Sequence, residues 1–356
     1  MGETRQGRRL EEILLPLIDN LYIHFPFCRT KCSYCNLYSR VCPPPKNYLE
    51  QIILSLNQSV NRSIGQSLYF GGGSPALCDL KPLLSALQLP PSTSTSPEFT
   101  VELHPLDVTP SLLSTLKQGG VNRISMGVQS LDDATLRSMG RAYTAKEAHA
   151  AFNLVKTFFD NAGIDLIVGY PGDDDFVENL ERLELDRWGL KHCSVYSLQN
   201  ERGLKNVPGD DTLLDRLSAV AAYLDSFGLK RYEISNYALP GYECRHNLAV
   251  WRGEDYLGLG DGACGRIGLK RTRGVWRGEK LEYEEETVTP EFDRKERNLF
   301  RLRTREGIDA ALFPELIPSL NRFVAQGLLH PPSIGQSYTL TSRGMEVCDA
   351  ILVELV

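Results

Sequence analysis

The stretch YIHFPFCRTKCSYCNLYS, residues 22–39, contains Cys28, Cys32 and Cys35 in a C-x3-C-x2-C spacing. The apolar run Leu21–His24 before it predicts a buried strand. Thiolates are soft ligands that suit the iron of an Fe–S cluster. The alternatives are a zinc site or three unrelated core cysteines, but structural zinc usually takes four ligands and the chain has no second CxxC knuckle. The spacing therefore predicts a [4Fe–4S] cluster with three protein ligands and one open iron.

Composition narrows the class of protein. The chain has 356 residues, of which 42% are hydrophobic and 24% charged, as in ordinary globular proteins. A net charge of -6 gives no general attraction to nucleic acid or to an anionic membrane. Three of the nine cysteines lie within eight residues, which favours metal binding over disulfides. We therefore predict a protein of the reducing cytoplasm.

Targeting and membrane signals are weak in the sequence. No apolar run reaches the roughly 18 residues that a membrane-spanning helix needs. The first residues, MGETRQGRRLEEILLPL, lack the uninterrupted apolar segment of a signal peptide. Gln6 stands where a myristoylation motif requires Ser or Thr. We expect no membrane segment and no lipid anchor.

Short apolar runs alternate with amphipathic stretches up to about Ser235, which predicts an α/β fold with a parallel sheet closed into a partial (β/α) barrel. Such barrels carry their functional residues at the carboxyl ends of the strands. The predicted strands are Leu21–His24, Ser67–Phe70, Thr100–Leu103, Arg123–Gly127, Ile164–Val168, Cys193–Leu198 and Arg231–Ile234. The predicted helices are Asn47–Val60, Asp79–Gln88, Pro110–Gly119, Asp132–Met139, Ala145–Asn161, Phe176–Leu185 and Asp211–Gly228.

Three regions are predicted: a core barrel over 1–235, a glycine-rich connecting segment over 236–290, and a smaller C-terminal domain over 291–356. The polar stretch 90–97 is expected to be a surface loop within the first. The sequence pattern of the last region predicts helices, then a short hairpin and a final helix. This order is similar to that of a winged helix. It holds eight Lys or Arg and nine Asp or Glu residues, so it lacks the basic face that binds DNA. We predict a cap or a partner-docking domain.

The cysteine spacing after a strand resembles the radical S-adenosylmethionine (SAM) signature. The longer string LYIHFPFC…CSYC resembles the HemW and oxygen-independent coproporphyrinogen III oxidase branch of that superfamily. The similarity continues through FGGGSP, NRISMGVQS, DLIVGYPG, YEISNYALPGYECRHN and RLRTREGID, and it covers nearly the whole chain. The resemblance implies a radical SAM barrel, a [4Fe–4S] cluster and SAM as cofactor. A reduced cluster of this kind supplies an electron that cleaves SAM to methionine and a 5′-deoxyadenosyl radical.

The resemblance also implies which residues contact the cofactors. Cys28, Cys32 and Cys35 would hold the cluster, and Cys42 is a possible fourth ligand that we interpret as a bystander. The positions that match the family's SAM contacts are Tyr22, Gly72, Gly73, Ser74, Glu102, Gln129, Arg141 and Asp165. For each polar residue taken alone, the alternative is an ordinary structural hydrogen bond.

A second motif, CRHNLAVW, is similar to a segment that HemW proteins link with haem binding. It suggests His246 as a haem contact, because imidazole is a common axial ligand of haem iron; the alternative is a core or capping histidine. The sequence departs from the family at Val250, where Tyr is usual. It departs again in GLGDGACG, where Asp261 and Cys264 replace Ala and His. Cys264 could itself ligate haem iron or be an inert filler.

Two functions fit the resemblance. One is a haem chaperone that carries haem to acceptor proteins, and the other is an enzyme that oxidatively decarboxylates coproporphyrinogen III. Three features favour the chaperone: only 27 residues precede Cys28, Asn36 and Leu37 follow the cysteines where the enzymes have a CxC pattern, and the HN-x3-W segment is a HemW trait. The expected partners are haem or a porphyrinogen, an acceptor protein and an electron donor.

Overall fold

The structure is a computed structural model that describes residues 18–59, 64–89, 96–309, 311, 314–332 and 337–355. The expectations for a signal peptide and for Gln6, and most of the loop 90–97, lie outside the described residues. The described part of the chain forms an open barrel, a three-stranded sheet beside it and a C-terminal helical region.

The barrel is built on a nine-stranded sheet in the order β7-β8-β6-β5-β4-β3-β2-β1-β9. Strands β1 to β6 run parallel in chain order, and β9 adds to the free edge of β1, also in parallel. The strands are β1 Ile18–Phe25, β2 Ile64–Gly72, β3 Glu98–Leu103, β4 Arg123–Gln129, β5 Asn161–Val168, β6 His192–Ser197, β7 Lys230–Arg231, β8 Asn236–Ala238 and β9 Leu257–Leu259. This is the partial barrel that the alternation of strands and helices predicts.

The helices lie mainly between the parallel strands. They are α1 Tyr48–Ser59, α2 Lys81–Leu87, α3 Pro110–Gln118, α4 Asp133–Ser138, α5 Ala145–Lys156, α6 Phe176–Arg182, α7 Asp210–Ser226, α8 Arg245–Trp251, α9 Pro290–Arg301, α10 Ile317–Ala325, α11 Ser342–Glu346 and α12 Cys348–Leu355. Side-chain caps fix several starts; Thr144 and Glu147, for example, form a reciprocal capping box at α5.

Strand alternation separates the core from the site. On β1, Leu21, Ile23 and Phe25 are fully buried in the main hydrophobic core. Tyr22 and His24 point to the opposite face, because successive side chains of a strand alternate. There the Tyr22 ring approaches Tyr69 of β2, with ring centroids 6.0 Å apart. The first strand therefore supplies both packing and site residues.

Several predicted elements differ in extent from the observed ones, two of them most clearly. The predicted strand Arg231–Ile234 is only Lys230–Arg231, and it pairs antiparallel with β8. The reason is a tight reversal, in which the Tyr232 amide donates to the carbonyl of Asn236. The predicted helix Ala145–Asn161 ends at Lys156, because Asn161 already begins β5.

The segment 236–290 contributes to the barrel instead of only connecting domains. It supplies β8, α8 and β9, then a meander of three antiparallel strands: β10 Cys264–Ile267, β11 Lys270–Arg277 and β12 Lys280–Thr287. Leu281 and Tyr283 of β12 belong to the main core. The three-region division of the chain stays a prediction.

The C-terminal region has a core of its own, built from α9 to α12 and the short hairpin of β13 Leu329–His330 and β14 Thr339–Leu340. Leu302, Ile308 and Leu320 are fully buried there. The predicted final helix is two helices, Ser342–Glu346 and Cys348–Leu355, with a break at Val347. No helix of the described residues is both long and apolar enough to cross a membrane.

Candidate functional site

The three cysteines lie on a loop that leaves β1 and folds back beside it. All three thiols are free and half-buried, whereas Cys42 is exposed. The Cys28 amide donates to the carbonyl of Arg40 at 2.9 Å, and the Arg40 amide donates to the carbonyl of Pro26. The start and the return of the loop are thus joined at its base.

The thiols lie close to one another and to cations. Burial raises the pKa of the Cys28 thiol, and the nearby Cys35 and Cys32 raise it further, while a hydrogen bond from Ser39 lowers it. Arg141 lies 3.5 Å from the Cys32 sulfur through Nη1. No group of three or more His, Cys, Asp or Glu in the described ranges could hold a single metal ion. In a cubane each thiolate binds a different iron, so that finding does not bear on a cluster.

The glycine loop after β2 passes directly beside the cysteines. A side chain at Gly73 would place its Cβ 2.4 Å from the Phe27 carbonyl oxygen and 2.9 Å from the Cys28 sulfur. Gly72 has a φ of 110°, and a Cβ there would meet the His24 ring. Only glycine allows this approach. Ser74 is a predicted SAM contact, but in the structure its hydroxyl donates a hydrogen bond to Asp107 at 2.5 Å.

Two carboxylates meet at the carboxyl ends of β3 and β5. Glu102 accepts from the Tyr69 hydroxyl at 2.7 Å and from the Gly72 amide at 3.0 Å. Burial, and then the neighbouring Asp165, raise the pKa of Glu102 to about 7. Burial also raises the pKa of Asp165, which accepts from Ser125. Within the described part of the chain, neither carboxylate has a salt bridge, so the site is suited to a cationic ligand.

The end of β4 is strained at Gln129, which has a φ of 74°. A left-handed conformation is unusual for a non-glycine residue and is often found at functional sites. The register of β4 against β5 shifts between Gly127 and Gln129. Arg141 donates to the Gly127 carbonyl at 2.6 Å and to the Tyr143 hydroxyl at 2.8 Å. These contacts place Arg141 between the end of β4 and Cys32.

A chain of hydrogen bonds leads from Tyr22 to the cysteine loop. The Tyr22 hydroxyl lies 2.8 Å from Nδ1 of His24, and Nε2 of His24 lies 2.8 Å from the carbonyl oxygen of Tyr38. Burial raises the pKa of Tyr22 and lowers that of His24, so both are neutral at pH 7. Tyr22 is therefore near the predicted cofactor pocket and is also part of the support of the loop.

The predicted residues fit the two cofactors that the cysteine motif implies. Three free thiols and a glycine cradle beside one of them provide a donor set for a cubane with one open iron. Glu102 and Asp165, which have no salt bridge within the described residues, suit the positive charges of SAM. The structure brings Tyr22, Gly72, Gly73, Glu102, Gln129, Arg141 and Asp165 to the carboxyl ends of β1 to β5 or onto the loops that follow.

His246 lies apart from the cysteines, toward the start of the strands. Its ring is buried, and Nδ1 is 3.0 Å from the Ser67 hydroxyl, which donates to Asn20. Its ring centroid is 6.0 Å from that of Tyr22, in a stacked arrangement. Burial lowers the pKa of His246 to about 3, so the imidazole is neutral. This structural role was the alternative to haem contact, and the haem contact stays a prediction.

The other residues of the second motif have different surroundings. The Trp251 indole donates to the buried Glu233 at 2.8 Å, and the Arg303 guanidinium lies 5.0 Å from the ring centroid. Cys264 is exposed at the start of β10, where its register partner on β11 is Arg273. Trp251 thus links the barrel to the C-terminal region.

Sequence reasoning missed several residues of the site. Tyr69 holds Glu102, and Ser125 holds Asp165. Both lie on strand faces shared with predicted residues, so strand alternation could have identified them. Tyr196 near the end of β6 is 42% exposed, although Asp165 and Glu102 influence the pKa of its phenol. No motif marks it.

Comparison with known proteins agrees with this geometry. Residues 22–183 match the Radical SAM superfamily. The chain is 32% identical to the heme chaperone HemW of Bacillus subtilis (strain 168) over 95% of this chain and 100% of the relative. It is 31% identical to the heme chaperone HemW of Escherichia coli (strain K12), over 87% and 91% of the two chains.

Among solved structures, the fold is similar to that of coproporphyrinogen III oxidase (HemN) from Escherichia coli. The TM-score is 0.77 at 21% identity, over 94% of this chain and 89% of that one. At this identity the likeness concerns the fold, with the partial barrel and the helical C-terminal region. The relatives that span the full length settle the family: the chain belongs to the HemW family of radical SAM proteins, whose cofactors are a [4Fe–4S] cluster and SAM.

Proposed function

We propose that this protein is a haem chaperone, which binds haem and transfers it to an acceptor protein while retaining a [4Fe–4S] cluster and SAM. The observation that carries the proposal is the 32% identity over 95% of the chain to a relative named as a heme chaperone. The site is consistent with it, because the cysteine loop, the glycine cradle and both carboxylates are present.

In this proposal, each part of the site has a physical task. Cys28, Cys32 and Cys35 hold the cluster, and the missing fourth thiolate leaves one iron for SAM. When bound, the two cofactors together supply one-electron chemistry. Glu102 and Asp165 would attract the positive charges of SAM, and the glycine loop lets the ligand approach the backbone.

The remaining predicted contacts orient the ligand. The side-chain nitrogens of Gln129 and Arg141 both lie near Gly127, within 2.7 and 3.7 Å of a Cβ built there, and Arg141 also lies beside Cys32. Tyr22 supports the loop through His24. Ser74 contributes indirectly, through its bond to Asp107.

The proposal includes a contact between the protein and haem. We place one haem contact at His246, on the CRHNLAVW motif and on its neutral imidazole. Because this ring is buried against Ser67 and Tyr22, iron can reach it only if α8 shifts. His246→Ala should therefore cut haem affinity sharply and change the Soret band while the iron content is unchanged. An unaltered haem titration would place the haem site elsewhere, with Cys264→Ala as the next variant.

A direct experiment separates the two functions. Protein reconstituted without oxygen should hold about four irons, bind haem in a titration with and without SAM, and pass it to apomyoglobin as a probe acceptor. The same preparation should not convert coproporphyrinogen III with a strong reductant. Robust turnover to protoporphyrinogen IX without haem transfer would reverse the assignment in favour of the enzyme.

We also propose that the protein works in the cytoplasm, where three crowded thiols stay reduced. An acceptor protein and an electron donor are its expected partners. Cell fractionation of the tagged full chain tests the location, and recovery in an oxidising compartment would contradict it.

A further inference from the structure

Asp261 is a buried carboxylate that the proposed function does not use. It lies in the turn after β9, and its side chain is 3% exposed. Its own amide donates to the Tyr48 hydroxyl at 3.0 Å. A carboxylate in such a position needs several donors to offset its loss of water.

The donors come largely from the cysteine loop. The Tyr38 hydroxyl donates to the Asp261 carboxylate, 3.1 Å from one oxygen and 3.2 Å from the other. The Arg40 guanidinium forms an ion pair with it at 2.7 Å. The Trp276 amide of β11 also donates, at 3.0 Å. Asp261 therefore joins the loop that carries the thiols to the sheet beside the barrel.

The backbone of the turn is shaped for this contact. Gly262 has a φ of 89°, and a Cβ there would lie 2.2 Å from a carbon of the Tyr38 ring. Gly260 has a φ of 105°, and a Cβ there would lie 2.4 Å from the His24 carbonyl oxygen. Glycines on both sides of Asp261 let the turn approach both ends of the loop.

The contact reaches a cluster ligand through one residue. Asp261 holds the side chain of Arg40. The backbone carbonyl of Arg40 accepts a hydrogen bond from the Cys28 amide, and the Arg40 amide donates to the carbonyl of Pro26. Fixing the side chain of Arg40 thus restrains the backbone on which Cys28 is carried. The Ser39 hydroxyl, in the same stretch, hydrogen-bonds to the Cys28 thiol.

We propose that Asp261 is a positioning residue for the cluster, which holds the return of the cysteine loop through Tyr38 and Arg40 and thereby fixes Cys28. The proposal rests on the assignment of the cluster to Cys28, Cys32 and Cys35. It gives this chain a second attachment of the loop, from the turn after β9, in addition to the one from His24 to the Tyr38 carbonyl.

The test compares holoproteins reconstituted without oxygen. In Asp261→Ala, cluster loss to an iron chelator should be roughly tenfold faster, the factor that loss of a charge-assisted hydrogen bond implies. The EPR spectrum of the reduced cluster should also broaden. Asp261→Asn, which keeps an oxygen for Tyr38 and for the Trp276 amide, should recover part of the difference. Asp255→Ala, which breaks the ion pair with Arg297 near the same edge of the barrel, is the matched control.

If Asp261→Ala does not fold, two variants of its more exposed partners on the cysteine loop provide the test. Tyr38→Phe and Arg40→Met remove the two donors without changing the buried turn, and each should speed cluster loss. Unchanged cluster loss and EPR spectra in these variants, with stability lowered only as in Asp255→Ala, would overturn the proposal. Absence of a cluster from the unaltered protein would instead contradict the proposed function.

Discussion

At the scale of single residues, the site is defined by two buried carboxylates that accept hydrogen bonds but have no salt bridge within the described residues. Glu102 accepts from Tyr69 and Asp165 accepts from Ser125, and burial raises the pKa of both carboxyls. The Cys32 thiol lies beside the guanidinium of Arg141. A pocket of this kind is costly until a cation enters, which is the electrostatic basis for binding SAM there.

The first prediction concerns the cluster ligands. Changing Cys28, Cys32 or Cys35 to Ser should abolish the iron content of anaerobically purified protein, because three thiolates are the minimum for the cubane. Cys42→Ser is the matched control and should keep about four irons, because Cys42 is exposed and lies outside the spacing. Iron analysis and the visible spectrum measure the cluster content of the ligand variants and of the control. Loss of the cluster in the Cys42 variant alone would show that the ligand set is wrong.

The second prediction concerns the pH dependence of SAM binding. The pKa of Glu102 is about 7 in the free protein. Below that pH the carboxyl is protonated and neutral, and above it the carboxylate attracts the cationic ligand, so SAM affinity should rise as pH increases through 7.

Glu102→Gln is the matched variant for this measurement, because it keeps the shape and removes the charge. It should bind SAM more weakly, by about tenfold, with a flatter dependence on pH and an unchanged iron content. Calorimetric titration at pH 6 and pH 8 measures the effect. Equal affinities of variant and unaltered protein at pH 8 would refute the role of Glu102.

At the scale of elements, the order of strands and helices followed from the sequence, and their connections did not. The alternation on β1 predicts both its buried face and its polar face, and the helix caps are local signals. The strand predicted at Arg231–Ile234 is shorter in the structure, because its extent depends on the pairing of β8 with β6. That pairing is a contact between distant parts of the sequence. The role of Asp261 also could not be predicted, because Tyr38 and Arg40 are over 200 residues away in the chain.

The short helix α8 shows how a distant carboxylate supports an element. Glu98, at the start of β3, is buried and accepts from the amides of Arg245 and His246 at the first turn of α8. These amides have no partner within the helix, and a negative charge there is favourable. The position of His246 therefore depends on Glu98.

The third prediction tests that support. Glu98→Gln should lower the free energy of unfolding by about 1–3 kcal/mol, because it weakens two buried hydrogen bonds and removes one of the negative charges near the buried Arg123. Glu50→Gln, on the exposed first turn of α1, should change stability by less than about 0.5 kcal/mol. Urea denaturation measures both variants. Equal effects of the two would mean that Glu98 does not cap α8.

At the scale of the whole molecule, two hydrophobic cores are joined through a polar seam. The main core fills the barrel wall, and the second lies among α9 to α12. Across the seam, Arg252 pairs with Glu306, Ser218 donates to Glu346, and Glu233 pairs with Thr304 in an isolated bridge. Trp251 is central to it, since its ring contacts Arg303 and its nitrogen binds Glu233.

The last prediction follows from that seam. Glu233 is fully buried, and burial raises the pKa of its carboxyl, while the hydrogen bond from Trp251 lowers it. Trp251→Phe keeps an aromatic ring beside Arg303 but removes the N–H donor. At neutral pH the free energy of unfolding of the variant should be lower by about 1–3 kcal/mol, because a buried carboxylate loses a hydrogen-bond donor.

This deficit in the free energy of unfolding should shrink as pH falls and Glu233 takes up a proton, since the neutral acid needs the donor less. Urea denaturation at several pH values measures this, and Trp276→Phe on β11 is the control. A deficit that stays constant with pH would show that the smaller ring, and not the lost bond to Glu233, causes it.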